Sequence, residues 1–370
     1  MAQRRPLTDS HPRPPTDGPT ETDEATGGGS AVRYFLTRLG QAVLTMVTAV
    51  VISFALFQAM PGGPVEAMRS QIIQNRGLEA GGTNVNMEQL RRLVESYSNM
   101  NPEDPFHVQL LDSSKNIFVE GDLGTSIYRG EPVTSLILQR LPWTTFIGVY
   151  AMVIGYLASF LIGSMMAYKE KSRFDSVLSV VLTALNSVPY YIVGVVLIFV
   201  VGVKFGLLPI GGRVGSGVDP AFTVEFFASA AAHAALPILS IAALLTNTAL
   251  TLRENAVRVL GEDFMRVAKL RGINDARMAT RYVGHNAILP MYTKIMIGVA
   301  GIFSGTVIVE QVFSYPGMGL LLFDAVKTRD YPLLMGTMIF FTAITVTAIL
   351  VADITYGFLD PRIGAGDADG

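Results

Sequence analysis

The residues of this chain that could bind a partner are concentrated in a polar segment from Arg253 to Pro290. The segment carries seven Lys/Arg and four Asp/Glu side chains, a net charge of +3, and lies between two long apolar stretches. Such side chains form ion pairs and hydrogen bonds with a protein surface or with anionic headgroups. A simple connection between helices needs only a handful of residues, so we interpret the segment as a contact surface.

Within this segment, the sequence predicts a short helix with charged ends. Glu262 and Asp263 place negative charge in the first turn, where the helix dipole is positive, and two basic residues occupy the last turn. Gly272 follows directly, at the position where many helices end in a left-handed residue. The working part of the segment is therefore predicted to be Glu262 to Gly272.

One face of the predicted helix combines Phe264, Val267, Ala268 and Arg271, which follow the i, i+3, i+4, i+7 spacing. The small Ala268 would allow another backbone or side chain to come close. Two interpretations remain open, a loop resting on headgroups and a helix presented to a cytoplasmic partner. Two large apolar side chains contribute little insertion energy, which favours the partner.

The elements that position this segment are apolar. Half of the 370 residues are hydrophobic, 16% are charged and the mean hydropathy is +0.42, whereas soluble domains carry about a quarter charged residues. Each charge-free stretch is long enough for the ~20 residues of a membrane-spanning helix. The stretches are 39–65, 141–168, 176–203, 226–252 and 331–352, with a sixth span at about 289–310. We therefore expect an all-α membrane protein with six transmembrane helices.

The distribution of Lys/Arg predicts the orientation of these helices. The loops on the side of the N-terminus hold ten basic residues and the opposite short loops hold four, which favours both termini in the cytoplasm of a multi-pass plasma-membrane protein.

The predicted spans and their orientation divide the chain into four parts. They are a disordered cytoplasmic tail (1–30), a first span plus an extracytoplasmic region (31–140), a five-helix core (141–358) with the cytoplasmic segment 253–288, and a cytoplasmic tail (359–370). Met87–Tyr97 has helical spacing, so the outer region is expected to be folded.

Polar residues interrupt the third span at Asn186, Ser187 and Tyr190, with Pro189 between them. This pattern is typical either of a kink satisfied by neighbouring groups or of residues that line a pathway, and both interpretations stay open. Three further ionisable residues lie near span ends, and a structural role is expected for each of them: His233, Glu310 and Asp353.

Several motifs resemble the permease subunits of ATP-binding-cassette (ABC) importers, specifically the dipeptide, oligopeptide and nickel group. The resemblance covers residues 33 to 363 and depends on the order and spacing of the motifs. They are Arg33–Pro64, Asp122–Ser126, Arg266–Gly272 with Pro290 eighteen residues later, Glu310–Gly319, Arg329–Pro332, and Leu359–Arg362. The coupling motif of the broader family opens with Glu-Ala-Ala, whereas Arg266 and Val267 stand here, so a Glu-based contact is not carried over.

The resemblance implies the six-helix fold of type I importer permeases and a subunit that forms half of a solute pathway. It implies two ATPase subunits, a second homologous permease chain, an extracytoplasmic solute-binding protein and membrane lipid as partners, with no nucleic acid. ATP and Mg would be bound by the ATPase, and this chain contains no G-x-x-x-x-G-K-[ST] phosphate loop. The residues implied in coupling are Glu262, Asp263, Phe264, Arg266, Val267, Ala268 and Gly272.

The main alternative is a secondary transporter or channel that works without ATPase partners. That class places ionisable residues near the bilayer midplane and repeats broken helices at matched positions. The predicted spans carry no charge at mid-depth, and the two halves show no evident self-similarity. A membrane enzyme is disfavoured because no clustered catalytic or metal-ligating set is present. In this family the binding protein supplies most of the selectivity, so the identity of the solute does not follow from this chain.

Overall fold

The computed structural model describes residues 23–58, 87–98, 104–260, 262–274 and 307–359, with a few single residues between these ranges. Most of these residues are helical. The helices are α1 (Asp23–Gln58), α2 (Met87–Ser98), α3 (Phe106–Lys115), α4 (Val133–Tyr168), α5 (Arg173–Asn186), α6 (Tyr190–Leu197), α7 (Val224–Leu245), α8 (Asn247–Leu260), α9 (Asp263–Leu270), α10 (Val307–Val312), α11 (Met318–Thr328) and α12 (Tyr331–Leu359). Both α3 and α6 continue into a π-helical stretch, Asn116–Glu120 and Ile198–Lys204.

Among the described residues, four stretches of helix are long and apolar enough to cross a membrane: Phe35–Ala55, Val133–Tyr168, Val224–Arg258 and Tyr331–Thr355. Helix α5 and the bent pair's second part, α6 with its continuation to Lys204, pass the same test together, as a broken span or a re-entrant loop. We assign them to the predicted third span and call them the broken span. The predicted all-α membrane class is confirmed. The sixth predicted span lies largely outside the described residues, and its last residues belong to α10.

The interruption predicted in the third span (176–203) is confirmed as a break, because α5 and α6 meet at an angle of 96°. Pro189 explains the break, since it lacks an N–H and disfavours helical backbone at the residue before it. The first helix begins at Asp23, so the last eight residues of the tail predicted as disordered are helical. Extending a helix costs less than nucleating one.

The long helix α4 packs along α7 and α8 through small side chains. Ala151, Gly155, Ser159 and Gly163 recur every fourth residue and are buried. A Cβ atom on Gly155 would lie 2.7 Å from the Cβ of Leu245. Small residues at this spacing let two helices approach closely in a membrane. The stripe therefore fixes the position of α8, which leads into the polar segment.

The outer region is folded against the helix ends. Val94 of α2 is buried with Phe54 of α1 and Ile127 of the loop before α4. The helix predicted at Met87–Tyr97 is confirmed as α2, because its apolar residues follow helical spacing.

Candidate functional site

The short helix α9 is positioned by its two ends. At its start, the amide of Met265 donates to the carbonyl oxygen of Glu262 at 3.0 Å, and at its end the amide of Arg271 donates to the carbonyl oxygen of Val267 at 3.1 Å. Gly272 adopts φ +69°, so the predicted left-handed helix end is confirmed. A Cβ atom there would meet no other atom within 4 Å, so the glycine is needed for its backbone conformation.

One face of α9 packs on its own chain. Met265 and Ala268 are buried together with Leu252 and Ala256 of α8 and with Met278 from the following turn. Ala268 was expected to share a partner-facing surface with Val267, and this expectation is wrong. Consecutive helical residues point about 100° apart, so the buried stripe of Met265 and Ala268 turns Val267 outward. Ala268 therefore packs α9 against α8, and a role for it in coupling stays a prediction.

The opposite face of α9 is accessible. The side chains of Glu262, Arg266 and Arg271 are exposed. Val267 is 49% exposed and Leu270 is 83% exposed. Leu270 was not among the predicted coupling residues. Its position three residues after Val267 places both side chains on the same face of a helix, so the sequence did contain a signal for it. The accessible face thus consists of two apolar side chains bordered by arginines.

Two predicted coupling residues are described only in part. Asp263 and Phe264 belong to α9, but their side chains lie outside the described residues. Beyond Gly272, the Asn274 Oδ1 atom accepts a hydrogen bond from the Arg277 amide at 2.9 Å, which is the geometry of a helix N-cap.

At the break between α5 and α6, the polar residues find partners within the chain. The Nδ2 of Asn186 donates to the Oδ1 of Asn247 at 3.4 Å, at the first residue of α8. Ser187 donates to the Thr183 carbonyl at 2.9 Å, and the Tyr190 carbonyl accepts from Ser240 at 2.7 Å. The Asn186 Oδ1 atom is buried without a hydrogen-bond partner. Much of the break is therefore satisfied by neighbours, and a pathway-lining role for these residues stays a prediction.

Two buried carboxylates organise the outer motifs. Glu310 accepts hydrogen bonds from the Thr144 hydroxyl at 2.8 Å and from the Leu320 amide at 2.9 Å. Asp330 accepts from the Ser126 hydroxyl at 2.5 Å and from the Tyr128 amide at 3.0 Å. These contacts join segments far apart in sequence, so both carboxylates have structural roles, as expected for Glu310.

The other two ionisable residues also have local partners. The Nδ1 atom of His233 lies 2.8 Å from the Ser229 carbonyl oxygen. The Oδ2 atom of Asp353 lies 3.6 Å from the Nε atom of Arg38. Within the described residues, His, Cys, Asp and Glu form no group that could hold a metal ion. The expected structural roles of His233 and Asp353 agree with these contacts.

The described residues thus combine helices of membrane-spanning length with the short helix α9, which packs on α8. The family model described as "Binding-protein-dependent transport system inner membrane component" matches residues 159–365, which is more than half of the chain. The chain belongs to this family. It is a permease subunit of an ABC importer and a multi-pass membrane protein, and the family favours this assignment over a channel or secondary transporter.

Curated relatives resemble the chain over almost their whole length. The oligopeptide transport system permease protein AppB of Bacillus subtilis (strain 168) is 30% identical over 333 residues, covering 89% of this chain and 98% of the relative. The dipeptide transport system permease protein DppB of Escherichia coli (strain K12) is 29% identical over 350 residues, covering 90% and 98%. DppB of Lactococcus lactis subsp. cremoris (strain MG1363) is 28% identical over 335 residues, covering 90% and 99%.

Proposed function

We propose that this permease forms half of a pathway for peptides and that the exposed face of α9 docks on an ATPase subunit. The peptide cargo is supported by the names of the relatives, which are permeases of dipeptide and oligopeptide transport systems. The docking is supported by one observation in particular. Leu270 is 83% exposed on a helix whose other face is already packed.

Burial of the exposed Leu270 side chain by a partner would stabilise the complex. Full burial of a leucine side chain contributes about 1.5–3 kcal/mol, and burial of Val267 beside it adds to that. Arg266 and Arg271 can form ion pairs at the rim of such a contact, which favours an acidic border around the groove of the partner. Glu262 and Asp263 at the start of α9 and Gly272 at its end keep the helix in one conformation, so that it can act as a rigid lever.

ATP hydrolysis and the ATP and Mg sites belong, in this proposal, to the partner ATPase subunits. The complex comprises two of these subunits, a second homologous permease chain and an extracytoplasmic solute-binding protein, embedded in membrane lipid. Both termini lie in the cytoplasm, in keeping with the excess of Lys/Arg on that side. This chain binds neither cofactor nor nucleic acid itself.

The break between α5 and α6 is proposed to border the pathway. Irregular backbone at membrane depth is tolerated where it is buried in protein or lines a water-filled cavity. Asn186, Ser187 and Tyr190 would supply polar atoms on that side. The unpaired Asn186 Oδ1 atom supports this placement, because a buried acceptor without a partner is costly unless water or cargo reaches it.

Co-purification with the ATPase subunits tests the docking. The permease variant Leu270→Glu is expected to lose the ATPase subunits from the purified complex, because a charge replaces the central apolar contact. Leu111→Glu is the matched control, since Leu111 lies on α3 in the outer region and is also largely exposed. Retention of the ATPase subunits by Leu270→Glu at the wild-type level would contradict the proposed contact.

A further inference from the structure

A bidentate ion pair fastens α5 to α8 near the start of the polar segment. The Asp175 Oδ1 atom accepts from Arg253 Nε at 2.5 Å, and its Oδ2 atom accepts from Arg253 Nη2 at 2.6 Å. The same Oδ2 atom accepts from the Lys171 amide at 3.0 Å. The side chain of Asp175 is 4% exposed and that of Arg253 is 25% exposed. Such two-bond pairs combine strength with a fixed relative orientation.

The turn before α5 is shaped around this carboxylate. Ser172 caps α5 by accepting a hydrogen bond from the Asp175 amide at 3.2 Å. Lys171 adopts φ +62°, an uncommon backbone conformation for a residue with a Cβ atom. Its amide points at the carboxylate as a result. The whole turn is thus organised to hold Asp175 against Arg253.

Few other buried residues connect α5 to the rest of the chain. Of its fourteen residues, Asp175 and Leu182 are buried. Leu182 packs with Met166 of α4 and Ala249 of α8. At the far end of α5, Asn186 donates to Asn247 of α8. Each of these contacts involves α8 or its neighbour α4, and the ion pair is one of the few buried links between α5 and α8.

The same helix α8 is joined to α9 by a continuous apolar cluster. Leu252, next to Arg253, is buried with Ala256, Met265 and Ala268. A displacement of α9 is therefore expected to move α8, which carries Arg253 at its middle. From there the ion pair passes the displacement to α5, whose other end is the 96° break.

We propose that Asp175 and Arg253 are positioning residues that transmit the movement of α9 to the broken span α5–α6. This inference rests on the proposed docking of α9. An ion pair suits the task because it resists rotation and sliding between two helices that share few other contacts. Without it, α8 could follow the ATPase while α5 stays behind, and ATP hydrolysis would continue with little transport.

The central test compares uptake per ATP in proteoliposomes that contain the full transporter, with a mixture of radiolabelled dipeptides and pentapeptides as the probe. Asp175→Asn is expected to lower uptake per ATP about two- to thirtyfold, the range of coupling changes caused by single substitutions. The ATP hydrolysis rate falls much less, whereas simple structural damage would lower both together. Arg258→Gln is the matched control, because Arg258 is an exposed arginine on the same helix. Uptake per ATP that is unchanged in Asp175→Asn would overturn the proposal.

Arg253→Lys keeps the charge but loses the second hydrogen bond, so it tests the same point if Asp175→Asn fails to assemble. We expect an intermediate loss of uptake per ATP, and a wild-type value in this variant would also overturn the proposal. The double variant Asp175→Asn/Arg253→Gln is expected to lose no more than Asp175→Asn alone, because residues that act as a pair are not additive. Additive losses would contradict a shared role.

A distance measurement separates this inference from the proposed function. The chain contains no cysteine, so spin labels can be attached through Val180→Cys on α5 and Ile349→Cys on α12, both exposed positions. ATP with vanadate is expected to shift the distance in the otherwise wild-type complex and to leave it unshifted in Asp175→Asn. An equal shift in both would overturn the positioning role alone, whereas retention of the ATPase subunits by Leu270→Glu would contradict the docking proposal.

Discussion

Single buried carboxylates connect distant parts of this permease. Asp330 precedes α12, where its Oδ1 atom accepts from the Leu333 amide at 3.2 Å, and its Oδ2 atom accepts from Ser126 and Tyr128. One side chain thus caps a membrane-spanning helix and fastens the outer loop to it. The resemblance had placed Ser126 and Asp330 in two separate motifs, and the structure brings these motifs into contact.

Removing the Asp330 carboxylate is expected to destabilise the protein. Asp330→Ala leaves buried donors without partners, and the loss of hydrogen bonds to a charged acceptor costs about 3 kcal/mol. For a chain of 370 residues this corresponds to a fall in Tm of about 4 °C, measurable by thermal unfolding in detergent. Asp219→Ala, at an exposed position, is the control. A Tm within experimental error of the wild type would show that the carboxylate does not fasten the loop.

Ala268 is buried between α9 and α8. Ala268→Arg introduces a long charged side chain into the cluster that joins α9 to α8, and a buried charge without a partner is strongly destabilising. Transport is expected to be abolished while the protein still inserts into the membrane. Peptide uptake in vesicles measures the effect, and Asp219→Arg, which places the same side chain at an exposed position, is the control. Uptake at the wild-type level in Ala268→Arg would contradict the packing of α9 on α8.

Among the helices, α9 depends on the residue that ends it. Gly272 has φ +69°, which proline cannot adopt and which costs a residue with a Cβ atom about 1–2 kcal/mol. Gly272→Pro is expected to abolish transport, and Gly272→Asn to retain most of it because asparagine tolerates left-handed backbone. Uptake and ATP hydrolysis are measured together. Full uptake by Gly272→Pro would show that the end of α9 has no role in coupling.

The contact between α4 and α8 leaves no room for larger side chains. A Cβ atom on Gly163 would lie 2.6 Å from the Ala249 carbonyl oxygen, so Gly163→Val forces the helices apart at a cost of about 1–3 kcal/mol. A lower Tm and reduced uptake are expected. Leu161→Val on the same helix is the control, because Leu161 is exposed. Equal Tm values for the two variants would contradict this account of the packing.

The helices were predictable where local interactions determine them. The helical spacing of apolar residues in α2 and the left-handed Gly272 depend on neighbours within a turn, and both predictions are confirmed. The prediction of which α9 residues face outward was wrong in part. The position of α8 determines which side of α9 is buried, and that position does not follow from the sequence of α9. The break in the third span was recognised as an interruption, but its 96° angle depends on packing beyond the local sequence.

At the scale of the whole molecule, the membrane class and the family were predictable, since both depend on patterns that run along the chain. Contacts between distant residues were not. Asp175 and Arg253 are 78 residues apart, and neither has a signal in sequence that points to the other. The role of the small residues of α4 likewise became evident only from their contacts with α7 and α8. Long-range contacts of this kind connect the candidate docking surface to the broken span.

Photo-crosslinking from position 270 shows whether the exposed face of α9 contacts an ATPase subunit. A photoreactive residue replaces Leu270 in the assembled transporter, and the same residue replaces Leu111 in a control chain. We expect a crosslink to an ATPase subunit from position 270 and none from position 111. Crosslinks from position 270 to lipid alone, in a complex that contains the ATPase subunits, would contradict the proposed contact.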